Sequence, residues 1–134
     1  MAEPPCDHSP VRRVEKPWGF EIWFAVTASY AGKIIHIDEG EALSLQYHQR
    51  KDEAITVLSG ELELELGAEA GRLHTHVLKP GDCQHISPQM VHRMRALTTV
   101  EICEVSTPEL EDVVRIADRY GRAGTPAPTE PAPA

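Results

Sequence analysis

The chain has 134 residues and a formal net charge of −8, a length that suits one domain able to bury a core without a disulfide or a metal as its only staple. The acidic balance argues against a nucleic-acid partner, which would need clustered Lys and Arg, and no apolar run approaches the length of a membrane span. Three cysteines, Cys6, Cys83 and Cys103, lack paired spacing, and the first ten residues lack the basic start and apolar stretch of an export signal, so free thiols in a cytoplasmic protein with no membrane partner are the expectation.

Residues 1–13 carry three prolines and no periodicity, which predicts an irregular arm. Residues 14–122 form the expected domain, and residues 123–134, built from Ala, Gly, Thr, Glu and Pro alone, form an expected disordered tail. Between the two ends the pattern is β. Strands are predicted at 20–26 and 33–37 around a Ser29-Tyr30-Ala31-Gly32 turn, with Lys33 sharing a face with Ile35 and Ile37. Runs at 42–48 and 53–58 flank the polar turn Gln49-Arg50-Lys51-Asp52 and predict a hairpin. Residues 61–66 alternate Glu and Leu, which predicts leucines inward and glutamates in water. Further strands are predicted at 73–78, 91–96 and 100–105. Thr107-Pro108 then reads as a helix start, with Leu110, Val113, Val114 and Ala117 at helical spacing. That predicts a short C-terminal helix ending near Gly121, with Arg115 and Arg119 one turn apart on one face.

The chemistry concentrates in residues 40–60. Alternation puts Ala42, Ser44, Gln46 and His48 on one face, and Glu53 with Ile55 and Val57 on one face of the next run. If these faces meet, Gln46, His48 and Glu53 converge among apolar neighbours, where unpaired polar groups are expensive and a metal ion would satisfy all three. The alternative is a solvated face for Gln46 and His48, with Leu43, Leu45 and Tyr47 in the core. Downstream, His92 shares a face with Met94 and Ala96. His74-Thr75-His76 offers a second imidazole pair on one face, but no carboxylate follows at hairpin distance, so both are expected to be exposed.

The order Gly40, Gln46-x-His48, Glu53, Gly60 and then His92 resembles the two cupin motifs. Lys16-Pro17-Trp18-Gly19, the run Leu43 to His48 and Asp118-Arg119-Tyr120-Gly121-Arg122 extend the likeness, over about residues 14–122, to the type II mannose-6-phosphate isomerase cupin domain. The resemblance implies an all-β fold, a single cupin jelly-roll or double-stranded β-helix barrel, joined here to the short C-terminal helix. It also implies a metal site of Gln46, His48, Glu53 and His92. Such a set suits zinc and would accept iron, manganese or nickel.

The activity implied is interconversion of mannose 6-phosphate and fructose 6-phosphate through a metal-stabilised enediol. Lys33 would stand near the metal, with Arg115, Arg119 and Arg122 holding the sugar phosphate. The sequence departs from the family pattern where Lys51 stands for arginine, Ala54-Ile55 for a His-Trp pair, Gln89 for a turn glycine and Ala96 for an asparagine. Two other readings stay open: a cupin dioxygenase using iron, and a cupin that binds a sugar or metabolite without turnover. Open sheet edges in a small sandwich favour a homodimer.

Overall fold

The structure, a computed structural model, describes residues 12–124. Eleven strands run β1 (Arg12–Lys16), β2 (Gly19–Val26), β3 (Ala31–Ile37), β4 (Leu45–Tyr47), β5 (Glu53–Ser59), β6 (Leu62–Gly67), β7 (His74–Leu78), β8 (Cys83–Ile86), β9 (Val91–Ala96), β10 (Val100–Ser106) and β11 (Val114–Ala117). They form two antiparallel sheets, ordered β1-β2-β3-β10-β5-β8 and β11-β4-β9-β6-β7. From β3 onward the chain passes repeatedly from one sheet to the other, which is the jelly-roll that the resemblance implies. No helix among the described residues is long and apolar enough to cross a membrane.

Two expectations are corrected. Residues 42–48 and 53–58 do not form a hairpin: β4 pairs with β9 and β11, whereas β5 pairs with β10 and β8 in the other sheet. Their inward faces meet across the sandwich instead, so the convergence survives by a different route. The C-terminal helix is also absent. Residues 107–113 make tight turns, with Leu110 N–H donating to Pro108 O and Val113 N–H to Glu111 O, and Val114–Ala117 adds to the edge of β4 with Arg115 opposite Gln46. Val113, Val114 and Ile116 are β-branched, and an open sheet edge gives their backbone a ladder that a short isolated helix cannot match. Arg115 and Arg119 therefore do not share a helical face.

β1 begins inside the stretch read as an irregular arm, pairing with β2 through the turn at Pro17-Trp18. Residues 1–11 and the tail beyond 124, Cys6 included, lie outside the described residues. The alternation at 61–66 holds: Leu62, Leu64 and Leu66 are buried. Their glutamates are not simply solvated, since Glu63 pairs with Arg95 and Glu65 with Arg93 across the strands, each at 2.9 Å. That places both arginines on the outer face.

The core is a cluster of Ile35, Ile37, Ile55, Val57, Leu62, Leu64, Val100 and Ile102 with Trp18 and Met94. Gly19 and Gly60 are fixed by close backbone approach. A Cβ at Gly60 would lie 2.2 Å from Thr99 O, and one at Gly19 2.0 Å from His36 O, both at positive φ. Both approaches lie within the first sheet, between β2 and β3 and between the ends of β5 and β10.

Candidate metal centre

Three side chains meet at one end of the sandwich interior. His48 follows β4, Glu53 opens β5 and His92 lies on β9; their relative exposures are 3%, 3% and 1%. Each can offer one donor atom, all within 4.8 Å of one another. Glu53 Oε2 is 3.5 Å from His48 Nε2, and Glu53 Oε1 is 3.6 Å from His92 Nε2. Those separations are long for hydrogen bonds. They match donors arranged around one ion, since ligands about 2.1 Å from a tetrahedral centre stand about 3.4 Å apart.

The tautomers agree. His48 Nδ1 is 2.5 Å from Asp112 O and His92 Nδ1 is 2.9 Å from Met90 O. A carbonyl only accepts, so each Nδ1 carries a proton, and in the neutral ring the Nε2 lone pair is left for a cation. Both Nε2 atoms are buried without a hydrogen-bond partner, a costly arrangement that a cation resolves. Burial holds the His92 imidazole toward its neutral form, against the pull of Glu53. Burial alone would raise the Glu53 carboxyl, but its surroundings, the Lys51 ammonium foremost, outweigh burial and hold the group well below its ordinary value. One carboxylate between two imidazoles is a donor set for a divalent cation, and the residues present fit one.

Gln46 stands opposite His92 in the β4–β9 ladder and lines the same cavity of about 860 Å³. Its Oε1 accepts from Ser44 Oγ at 2.5 Å. Lys33 is buried on the cavity wall, with Nζ 3.5 Å from Glu21 Oε1 and 4.5 Å from the Trp23 ring centroid. Arg115 and Arg122 line the cavity as well, and Arg122 forks onto Asp118 at 3.0 Å. Arg119 lies elsewhere: it donates to Gly40 O at 2.9 Å and borders a separate cleft with Glu63, Glu65, Arg93 and Arg95. His74 and His76 are exposed on β7, and His85 is an exposed partner of Asp52, so neither they nor His85 reach the centre.

The wall also holds three ions and a latch that lie outside the expected site, Lys51 being expected only as a stand-in for the family's arginine. Lys51 is buried, its Nζ 2.9 Å from Glu53 Oε2 and 3.2 Å from Glu104 Oε2. Burial would lower its affinity for a proton, but Glu104 and Glu53 raise it well above the ordinary value, so Lys51 stays an ammonium. Glu104 on β10 and Glu21 on β2 are buried on the same wall. The signal was present: Glu104 alternates in phase with Val100 and Ile102, and Glu21 with Trp23. Asp112 is the latch. Its carboxylate accepts from the backbone N–H groups of Gln49, Arg50 and Lys51 at 3.0, 2.7 and 2.9 Å, while its carbonyl fixes His48.

Residues 33–106 match the family model described as the cupin domain. Among curated proteins, mannose-1-phosphate guanylyltransferase of Escherichia coli K12 is 30% identical over 120 residues, covering 87% of this chain and 24% of its own length. The xanthan biosynthesis protein XanB of Xanthomonas campestris pv. campestris is 29% identical over 116 residues, covering 83% and 24%. The chain thus spans about a quarter of the length of these relatives. Among solved structures, KdgF from a Halomonas species superposes with a TM-score of 0.61 at 23% identity, over 70% of this chain and 83% of its own. Oxalate decarboxylase from Bacillus subtilis gives 0.68 at 15% identity, over 78% and 30%; both likenesses concern the fold. Because the matched stretch runs from within β3 to the end of β10 and contains the whole buried trio, the chain belongs to the cupin family.

Proposed function

We propose that this chain is a metal-dependent sugar-phosphate isomerase of the mannose 6-phosphate/fructose 6-phosphate type. The observation that carries the reading is the pair of orphaned Nε2 atoms flanking Glu53 in a cavity whose wall also bears Lys33, Arg115 and Arg122. Support for the substrate class comes from the resemblance to the type II isomerase cupin and from a relative named for mannose 1-phosphate. His48, Glu53 and His92 would hold the ion, with Gln46 as a fourth donor and zinc as the metal. A divalent cation bound there supplies Lewis-acid stabilisation of charge developing on a sugar oxygen. Lys33 adds a fixed positive charge on the cavity wall, and Arg115 and Arg122 present guanidinium groups suited to a phosphate.

A second reading has its own observation. Two histidines and one carboxylate are also the ligand set of non-haem iron oxygenases. A coupled assay on mannose 6-phosphate, run on metal-stripped and zinc-reloaded protein, separates them: activity restored by zinc supports the isomerase, and iron-dependent oxygen uptake supports the oxygenase. Ligand binding with neither activity would favour a binding protein. His48→Ala or His92→Ala is expected to abolish metal loading by equilibrium dialysis, and His76→Ala to leave it intact. We also propose a homodimer formed on the outer face of the first sheet, where Phe24, Leu58 and Val105 are exposed; sedimentation of the full chain tests it. A cytoplasmic location belongs to the same proposal.

A further inference from the structure

The metal ligands leave one question of the isomerase chemistry open, namely which group moves the carbon-bound proton. The acid-base groups at this end of the cavity are few and most are already engaged. His48 and His92 hold their protons on backbone carbonyls and point Nε2 at the ion site with Glu53. Glu21 accepts from Trp23 Nε1 at 2.7 Å and pairs with Lys33 at 3.5 Å. Burial opposes its charge, but Lys33 and Lys16 outweigh burial and keep it ionised. Lys51 stays protonated between two carboxylates.

Glu104 is different. It lines the cavity from the inner face of β10, and Lys51, on Oε2, is the only hydrogen-bond donor it has among the described residues. Its ladder partners are Lys33 on β3 and Ile55 on β5, whereas Glu53 stands opposite Ser106. Glu104 and Glu53 are therefore diagonal neighbours on one face, about 7–8 Å apart at the backbone. Lys51 bridges the two carboxylates, at 2.9 Å from Glu53 Oε2 and 3.2 Å from Glu104 Oε2, so both face the same part of the cavity. We propose that Glu104 is a catalytic residue, the carboxylate that takes the proton from one substrate carbon and returns it to its neighbour, an assignment that rests on the isomerase reading.

The step balances without an oxidant or reductant. Glu104 takes the C2 proton, the C2–H pair becomes the C1–C2 double bond, and the C1 carbonyl pair moves onto O1. A proton passes from O2 to O1. The pair left on O2 then forms the C2 carbonyl, and the double-bond pair takes the proton at C1 from the Glu104 carboxylic acid. Lys51 balances the charge on Glu104 when it is ionised.

The test follows mannose 6-phosphate by NMR in heavy water with metal-loaded wild type, Glu104→Gln, Glu104→Asp and Glu109→Gln, metal content being measured in each. Glu109 also lines the cavity and has an unpartnered carboxylate oxygen, so it is the rival. Glu104→Gln is expected to lose about 100-fold or more in kcat and in deuterium uptake at carbon, with metal content and KM changed by no more than about two-fold. Glu104→Asp should recover part of the kcat loss. The assignment is overturned if Glu104→Gln keeps more than about a tenth of wild-type exchange, or if Glu109→Gln is the variant that loses it. Should Glu104→Gln fail to fold, Glu104→Asp decides, and a wild-type kcat in it overturns the assignment. A wild type that neither isomerises nor exchanges overturns both readings; an active wild type with an active Glu104→Gln overturns only this one.

Discussion

The two halves of the sandwich interior are built from the same strands and could hardly differ more. Inward from one end, β3 presents Lys33, Ile35, Ile37; β10 presents Glu104, Ile102, Val100; β5 presents Glu53, Ile55, Val57; and β9 presents His92, Met94, Ala96. The β3 and β10 series are aligned, with Lys33 opposite Glu104 and Ile35 opposite Ile102, and β5 is offset by two residues, with Ile55 opposite Glu104 and Val57 opposite Ile102. Each strand thus contributes an ionisable side chain to one half and aliphatic carbon to the other. The aliphatic half supplies hydrophobic stabilisation, and the ionic half is a standing expense against it. A dry barrel would be more stable; a wholly polar one would not fold.

The sharpest way to break that contrast is to damage one half at a time and ask whether metal matters. Lys51→Met keeps volume but leaves Glu53 and Glu104 buried without their shared ammonium. Its expected loss is about 3–5 kcal/mol of unfolding free energy in chelator, as for other broken buried pairs. Urea titration with added divalent cation should recover much of that loss, because a bound cation stabilises the native state and neutralises Glu53. Ile102→Ala, fully buried in the aliphatic half, should lose about 2–4 kcal/mol through its cavity, and the same amount with or without metal. Equal metal responses in the two variants would erase the distinction between the halves.

That division also explains what the sequence disclosed. Period-two alternation located most strands and put Leu62, Leu64 and Leu66 inside, because burial on one face leaves a regular mark. Ligand spacing together with the family likeness singled out His48, Glu53 and His92. Glu21 and Glu104 are harder to read for the opposite reason: a charge in phase with buried carbon breaks the rule by which faces are assigned, whereas Lys51 lies in a polar turn, where the pattern assigns no face. The same phase had drawn notice at Lys33, where it was seen beside Ile35 and Ile37. The C-terminal segment misled because Leu110, Val113, Val114 and Ala117 satisfy helical spacing, while the deciding partner, the open edge of β4, is distant in sequence. The hairpin misled similarly, since a short polar turn does not tell whether its two strands pair or face each other.

Asp112 ties this late segment to the ionic half, and its effect is pH-dependent. Burial would raise its carboxyl, but the N–H groups of Arg50, Gln49 and Lys51 outweigh burial and lower it below the ordinary aspartate value. A folded-state value below the unfolded one means that the stabilisation is complete above the unfolded pKa and is lost as pH falls through the folded one. Asp112→Ala should therefore be less stable than wild type by about 1–2 kcal/mol at neutral pH, as for loss of a capping carboxylate. The gap should begin to close as pH falls below the ordinary aspartate pKa of about 3.9, measured by urea titration across the range. A gap that does not change with pH would mean that the ionised carboxylate contributes nothing.

The smallest expected effect lies at the rim of the same half. Gln89 adopts φ 69°, left-handed backbone that costs a residue with a Cβ about 1–2 kcal/mol, at the place where the family pattern has glycine. Its N–H donates to His48 O at 2.6 Å, which couples the turn to the ligand strand. Gln89→Gly removes the steric cost and adds back some unfolded-state entropy, so the net gain should be about 0.5–1 kcal/mol. Because the backbone hydrogen bond is retained, metal affinity by equilibrium dialysis should stay within about two-fold. A variant that gained stability yet lost metal would show that the strain at Gln89 positions His48, and the boundary between the two halves would then run through this turn.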